Sequence, residues 1–132
     1  MITLQGRKIS KGKVTAEALV SSEGISFYGG VDPESGKIVE SGHPLHGQSI
    51  AGKVLVFPRG KGSTVGSYIM YRLSKNGRAP AAIINQECET IIAVGAIISD
   101  IPCVDKIDIK KIVSGMQIEV DADNHKVTLY TP

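Results

Sequence analysis

Apolar residues in this chain fall in short runs punctuated by glycine and proline, a rhythm that predicts many strands and few helices. Over 13–20, Val14, Ala16, Ala18 and Val20 alternate with Thr15, Glu17 and Leu19, the mark of a strand with one buried face. Residues 25–28 read as a second short strand, stopped by Gly29-Gly30. A turn-rich stretch over 31–36 follows, where Pro33 holds its predecessor extended and Gly36 supplies the positive φ of a turn. The unbroken run Val54-Leu55-Val56-Phe57 is typical of a central strand, and Pro58 ends it. Val65, Ile69, Arg72 and Leu73 fall at helical spacing, so a helix is expected over 63–75 with Gly77 as its stop. Residues 81–85 read as a further buried strand. The apolar block 90–99 is too long for a strand here and is read as a buried helix capped by Thr90. A short strand from Pro102, a weak helical turn over 109–113 ended by Gly115, and a hairpin of 117–122 and 126–130 around Asp123-Asn124 complete the reading. The sum is a mixed α/β fold with strands at both ends and strand–helix–strand units between them.

The bulk properties fit one domain spanning 1–132. A chain of 132 residues buries roughly two-thirds of its unfolded surface. Its 42% hydrophobic and 21% charged residues are ordinary for a folded protein. A net charge of +2, with scattered Lys and Arg and no tryptophan, argues against a nucleic-acid partner. No segment approaches the ~20 apolar residues that span a bilayer, and the first residues lack the basic-then-apolar order of a signal peptide. No membrane role is expected, and the location expected is cytoplasmic. Cys88 and Cys103 lie apart, which fits two buried thiols in a reducing compartment better than a disulfide. With His43, His46 and His125 and no Cys-x-x-Cys pair, the chain is not expected to carry an iron–sulfur cluster or another metal by itself.

One segment carries candidate chemistry: Arg59-Gly60-Lys61-Gly62-Ser63-Thr64, a glycine-rich turn between a buried strand and a helix start. Glycines admit close backbone approach, and amides at a helix N-terminus favour an anion. Lys61 and Arg59 add positive charge, while Ser63 and Thr64 add hydroxyls at the mouth. Nucleotide readings fail on spacing, because Gly62 rather than Ser or Thr follows Gly60-Lys61, and Val65 stands where a dinucleotide fingerprint needs glycine. Two readings of the loop stand at this point: a tight turn with a capping serine, or a cradle for a phosphate, a carboxylate or a developing alkoxide.

The loop occurs in an ordered series: Ser26-Phe27-Tyr28-Gly29-Gly30-Val31-Asp32-Pro33, then His43-Pro44-Leu45, then Gly60 to Tyr68, Ala79 to Asn85 and Gly95 to Pro102. That series closely resembles the aconitase X swivel-domain family, in its stand-alone archaeal form, over nearly the whole chain. The resemblance implies a swivelling β/β/α domain like the last domain of aconitase, acting as the small subunit of a heterodimer. Its partner is then a larger, cysteine-bearing catalytic subunit that holds a four-iron four-sulfur (4Fe-4S) cluster, with no cofactor on this chain. The implied reaction is a hydro-lyase step of the mevalonate route to isoprenoids, dehydrating (R)-5-phosphomevalonate to trans-anhydromevalonate 5-phosphate. In the matching loop the serine is the proton-abstracting base, which places that role on Ser63. Gly60, Lys61, Gly62 and Thr64 then bind substrate or steady the alkoxide. An ordinary serine stays protonated at neutral pH, so the amides of 62–65, the helix dipole and Lys61 are the means expected to lower its pKa.

Other residues invite weaker roles. His43-Pro44-Leu45-His46 lacks a nearby carboxylate or thiol, so its histidines read as surface or loop residues ahead of metal ligands, with an interface or substrate-edge role for His43 following from the resemblance. Asp32 either lines the cleft or caps its own turn. Asn85 and Glu87 end a buried strand, where open sheets often place functional groups. Asp105, Lys106 and Asp108 read as a solvated turn of alternating charge. Two rival functions follow: the small subunit of a cis-3-hydroxyproline dehydratase, and a non-enzymatic anion-binding swivel domain. The second needs a loop histidine for phosphoryl carriage, and the loop offers Ser63 instead.

Overall fold

The strand Val54–Phe57 is apolar at every position because layers cover both of its faces. The computed structural model describes residues 1–130. Strands β1 (Ile2–Gln5), β2 (Arg7–Ser10), β3 (Lys13–Val20), β4 (Val54–Phe57), β5 (Ala82–Asn85), β6 (Cys103–Asp105), β7 (Gln117–Asp121) and β8 (Lys126–Tyr130) make an eight-stranded sheet in the order β1-β8-β7-β3-β4-β5-β6-β2. Strand β3 serves both halves of it. Lys13 to Glu17 pair antiparallel with β7, and Ala18 to Val20 pair parallel with β4. At the opposite seam β1 runs directly into β2, although β1 pairs with β8 and β2 with β6. The sheet therefore doubles into two layers joined along both sides.

Side-chain alternation fills the space between those layers. Ala18, Val54, Val56, Ala82, Ile84 and Val104 meet Ile118, Val120, Val127 and Leu129 there, and Val14, Ala16 and Val20 pack against the same cluster. The face that period two assigned to β3 is thus the one it buries. The opposite side chains, Leu19, Leu55, Phe57, Ile83 and Cys103, join a second core beneath helices α2 (Gly66–Lys75) and α3 (Thr90–Ile98). Two β layers and one helical layer give the β/β/α arrangement. The helices lie side by side in the same direction, since Ser67 Oγ donates to Ile91 O near their starts and Ser74 Oγ donates to Ser99 O near their ends.

Several elements differ from the sequence reading for identifiable reasons. Strand residues are not found over 25–28. Ile25 makes a single parallel bridge to Gly60, after which the chain enters a short kinked helical turn, α1 (Phe27–Gly30), with Ser26 Oγ donating to Tyr28 O. Helix α2 begins at Gly66 rather than at 63, because Ser63 to Val65 form a separate turn. Helix α3 is capped by Glu89, not Thr90: the Glu89 carboxylate accepts from Ile91 N at 3.0 Å and Ile92 N at 2.8 Å. Nor is α3 buried all round, since Val94, Ile97 and Ile98 are 43%, 55% and 48% exposed. The supposedly solvated Asp105 is fully buried. It takes a bidentate bond from Arg7 (2.9 and 2.7 Å) and a third from Cys88 N at 2.9 Å, tying β2 to β6. Lys106 does reach solvent, where it pairs with Glu87 at 2.5 Å.

Candidate active site

The parallel strands β3, β4, β5 and β6 end at one rim of the molecule, and the segment that leaves β4 crosses that rim before entering α2. Its first residues are laid on a backbone template. Ile25 N donates to Arg59 O at 3.3 Å and Lys61 N donates to Ile25 O at 3.0 Å, so 24–26 and 59–61 run together as a one-bridge ribbon. Glycine is needed twice along it. A β-carbon on Gly60 would stand 2.6 Å from Glu89 Oε1 and 2.5 Å from Ile92 Cγ1, the first turn of α3. Gly62 has φ +93° and rests against Ser26 Oγ with no space for a side chain.

Past this fixed stretch, Lys61, Gly62, Ser63 and Thr64 are exposed. Ser63 Oγ accepts a hydrogen bond from Val65 N at 3.2 Å, and Gly66 N donates to Ser63 O at 3.0 Å. The hydroxyl oxygen thus holds one amide donor and faces outward. Lys61 does not stand as an uncompensated cation, because its ammonium pairs with Glu40 at 2.9 Å. Beside the exposed polar Lys61 and Thr64 lie exposed apolar side chains, Val65 at 43% and, on α2 and α1, Tyr68 at 59% and Tyr28 at 54%. A separate cleft of about 490 Å³ opens at the same rim, lined by Val20, Ser21, Pro44, Pro58 and Gln86 among others, and the residues 60–64 are not part of its wall.

The remaining candidates separate cleanly. Asp32 caps its own turn, with its carboxylate accepting from Ser35 Oγ at 2.7 Å and Glu34 N at 3.3 Å, and these bonds hold it below the ordinary aspartate range. Asn85 is buried and donates to Phe57 O at 3.0 Å, while Glu87 is exposed. Both histidines lie in a loop, as read; His46 is exposed and His43 is buried. A four-iron cluster does not fit these residues. Cys88 and Cys103 are the only cysteines, and the Cys103 thiol is pushed well up by its neighbour Cys88 and by burial. Among the described residues no three His, Cys, Asp or Glu gather as metal ligands.

Residues 3–129 match the family model described as the aconitase X swivel domain. The chain belongs to that family. This aconitase X swivel domain is 58% identical over 126 residues to the phosphomevalonate dehydratase small subunit of Thermococcus kodakarensis, covering 96% of this chain and 95% of that one. It is 53% identical over 134 residues to the protein of the same name from Methanosarcina acetivorans, covering 99% and 93%. It also superimposes on a chain of the crystal structure of Thermococcus kodakaraensis aconitase X (holo-form) with a TM-score of 0.98 at 56% identity, over 99% of this chain and 100% of that chain.

Within the aconitase X swivel domain, sequence reasoning located the glycine-rich loop but missed what holds it. Ser26, Glu40 and Glu89 touch it from three other segments. Glu40 and Glu89 carry no local motif that marks them. Ser26 lies inside the first block of the family series, and this was the one available signal.

Proposed function

We propose that this chain is the small subunit of a phosphomevalonate dehydratase, a single swivel domain that becomes active only when docked on its large subunit. The observation that carries the reading is an exposed Ser63 hydroxyl on a loop fixed at Gly60 and Gly62, in a chain more than half identical to small subunits of that name. A base offered to a partner must be accessible, and the exposure of Ser63 supports that role.

In the reaction, Ser63 Oγ takes the proton from the carbon beside the substrate carboxylate. The electron pair left behind forms the double bond of trans-anhydromevalonate 5-phosphate, and the hydroxyl on the adjacent carbon leaves as water after taking a proton from an acid on the large-subunit side of the site. The Val65 amide already donates to Ser63 Oγ and favours its deprotonated form. Docking would remove water from around the oxygen and strengthen that bond. With Lys61 paired to Glu40, Lys61 serves to orient Gly60 and Gly62 and to meet a substrate anion rather than to neutralise the alkoxide alone. Thr64 adds a second hydroxyl at the mouth. Assistance to the leaving hydroxyl belongs to the large subunit, where the family resemblance puts a 4Fe-4S cluster. The apolar collar of Tyr28, Val65 and Tyr68 suits a face covered by protein. The two reduced cysteines fit a cytoplasmic complex.

The test is anaerobic turnover of (R)-5-phosphomevalonate by this chain, by the large subunit and by the mixture. Activity is expected in the mixture alone, and Ser63→Ala should lower kcat by roughly 10²- to 10⁴-fold, the usual range for a general base. Full turnover by Ser63→Ala would remove the base. A mixture that dehydrates cis-3-hydroxyproline instead would keep the architecture and change the substrate.

A further inference from the structure

The loop that presents Ser63 is laid on residues 24–26, so whatever fixes those residues fixes the loop. His43 does this. Its ring is buried at 5% exposure, on the connection between β3 and β4. Nδ1 accepts a hydrogen bond from Leu45 N at 3.0 Å and therefore carries no proton. The ring proton of the neutral imidazole is then on Nε2, which lies 3.1 Å from Gly24 O and donates to it. Gly24 in turn has its α-carbon against the loop, since a β-carbon there would stand 2.9 Å from Arg59 O. Its neighbours Ile25 and Ser26 make the bridge to Gly60 and the seat for Gly62.

We propose that His43 is a positioning residue for Ser63, acting through the Gly24 carbonyl; this rests on the reading of Ser63 as the base. The imidazole is the one side chain whose two nitrogens match the two demands made on it. One nitrogen accepts from the chain two residues on, and the other reaches across to the loop template. The supporting segment is itself anchored, because Leu45, Ile38 and Ile50 are buried in the core beneath the helices. A rigid support on one side and a ribbon bearing the base on the other make this hydrogen bond the link that sets the height of the ribbon. A displacement of about 1 Å at a reacting group can cost on the order of a hundredfold in rate.

The two halves of this device can be separated by substitution. Glutamine at 43 can bring its amide NH₂ to the place of Nε2 and donate to Gly24 O, but it lacks the acceptor for Leu45 N. Asparagine can put its amide oxygen at the place of Nδ1 and accept from Leu45 N, but it falls short of Gly24. Both variants, Ser63→Ala and the unmodified chain are assembled with the large subunit, and kcat, KM for phosphomevalonate, the thermal midpoint and subunit association are measured. His43→Asn is expected to lower kcat about tenfold to a hundredfold, with KM and association nearly unchanged, while His43→Gln retains most turnover. The ordering must survive comparison at matched folded fraction. If Ser63→Ala is inactive and the asparagine variant equals or exceeds the glutamine variant, His43 supports only its own turn and this inference fails alone. An effect confined to KM, or an equal kcat loss in both variants, would overturn it as well. Full turnover by Ser63→Ala would overturn the base reading and take this inference with it.

Discussion

Gly62 rests its α-carbon directly on the Ser26 hydroxyl, and no β-carbon fits between them. The contact joins the segment before α1 to the loop one residue ahead of Ser63, at a backbone φ of +93° that side-chain-bearing residues rarely adopt. Gly62→Ala must therefore move either Ser26 or the loop. Stability is expected to fall by about 1–3 kcal/mol from the strained φ and the lost fit. Turnover by the assembled complex should fall further than that loss explains, because the displaced residue adjoins Ser63, the proposed base. Chemical denaturation of the variant alongside single-turnover kinetics separates the two effects. An alanine variant with unchanged kinetics would show that the loop tolerates displacement.

Glu89 acts at two places with one carboxylate. It caps α3 through Ile91 N and Ile92 N, and its Oε1 lies where a Gly60 side chain would be. Glu89→Ala should cost about 1 kcal/mol, as loss of a helix cap does, and Glu89→Gln should cost less because an acceptor remains. Thr90→Ala should leave the unfolding midpoint almost unmoved, since Thr90 is exposed and its hydroxyl is not the cap. Equal losses at 89 and 90 would return the cap to the threonine.

That pair of residues also marks how far the sequence could be read. The helix at 90–98 was legible from its length and apolar content, and β3, β4, β5 and the final hairpin from their period and punctuation. These signals are local, arising from burial of alternate or of all side chains in a few neighbouring residues. Strands β1 and β2 gave no such signal. They are edge segments, mostly exposed, whose partners β8 and β6 lie near the far end of the chain. Asp105 was misread for the same reason, since the Arg7 that makes its burial tolerable is 98 positions away. In the candidate site the glycines and Ser63 were visible, whereas Glu40 and Glu89 became partners of the loop, and the buried His43 a partner of Gly24 beside it, only through the fold. The strand expected over 25–28 failed because Ser26 bonds to Tyr28 O and Gly29 takes a left-handed φ, a local alternative to sheet pairing.

Arg7 closes the doubled sheet. Its guanidinium makes a two-point bond to Asp105, which is fully buried, while half of the arginine side chain remains in solvent. Arg7→Ala would leave that carboxylate with the Cys88 amide as its remaining donor, at a cost of about 1–3 kcal/mol for an under-satisfied buried charge. Arg7→Lys should recover only part of the loss, because an ammonium cannot reproduce the planar fork. Urea unfolding of both variants measures this, and a lysine variant as stable as the original would deny the two-point bond its role.

Asp121 gives the fold a dependence on acid whose sign can be worked out. At the turn between β7 and β8 its carboxylate accepts from Asn124 Nδ2 at 2.9 Å and from Asn124 N at 3.3 Å. The Asn124 side chain is the main reason its pKa lies below the ordinary aspartate value, with burial opposing and the backbone bond assisting. The folded state thus prefers the ionised form more than the unfolded chain does. The resulting stabilisation is complete above the unfolded pKa of about 4 and is lost as pH falls through the lower folded value. Asp32 contributes in the same direction through Ser35 and Glu34, so the acid limb of the unmodified chain mixes the two groups. Subtracting the unfolding free energy of Asp121→Asn at each pH isolates one of them. The difference should be constant near neutrality and shrink steadily below about pH 4. A difference that stayed level into strong acid would mean that the aspartate's charge contributes nothing to holding the hairpin.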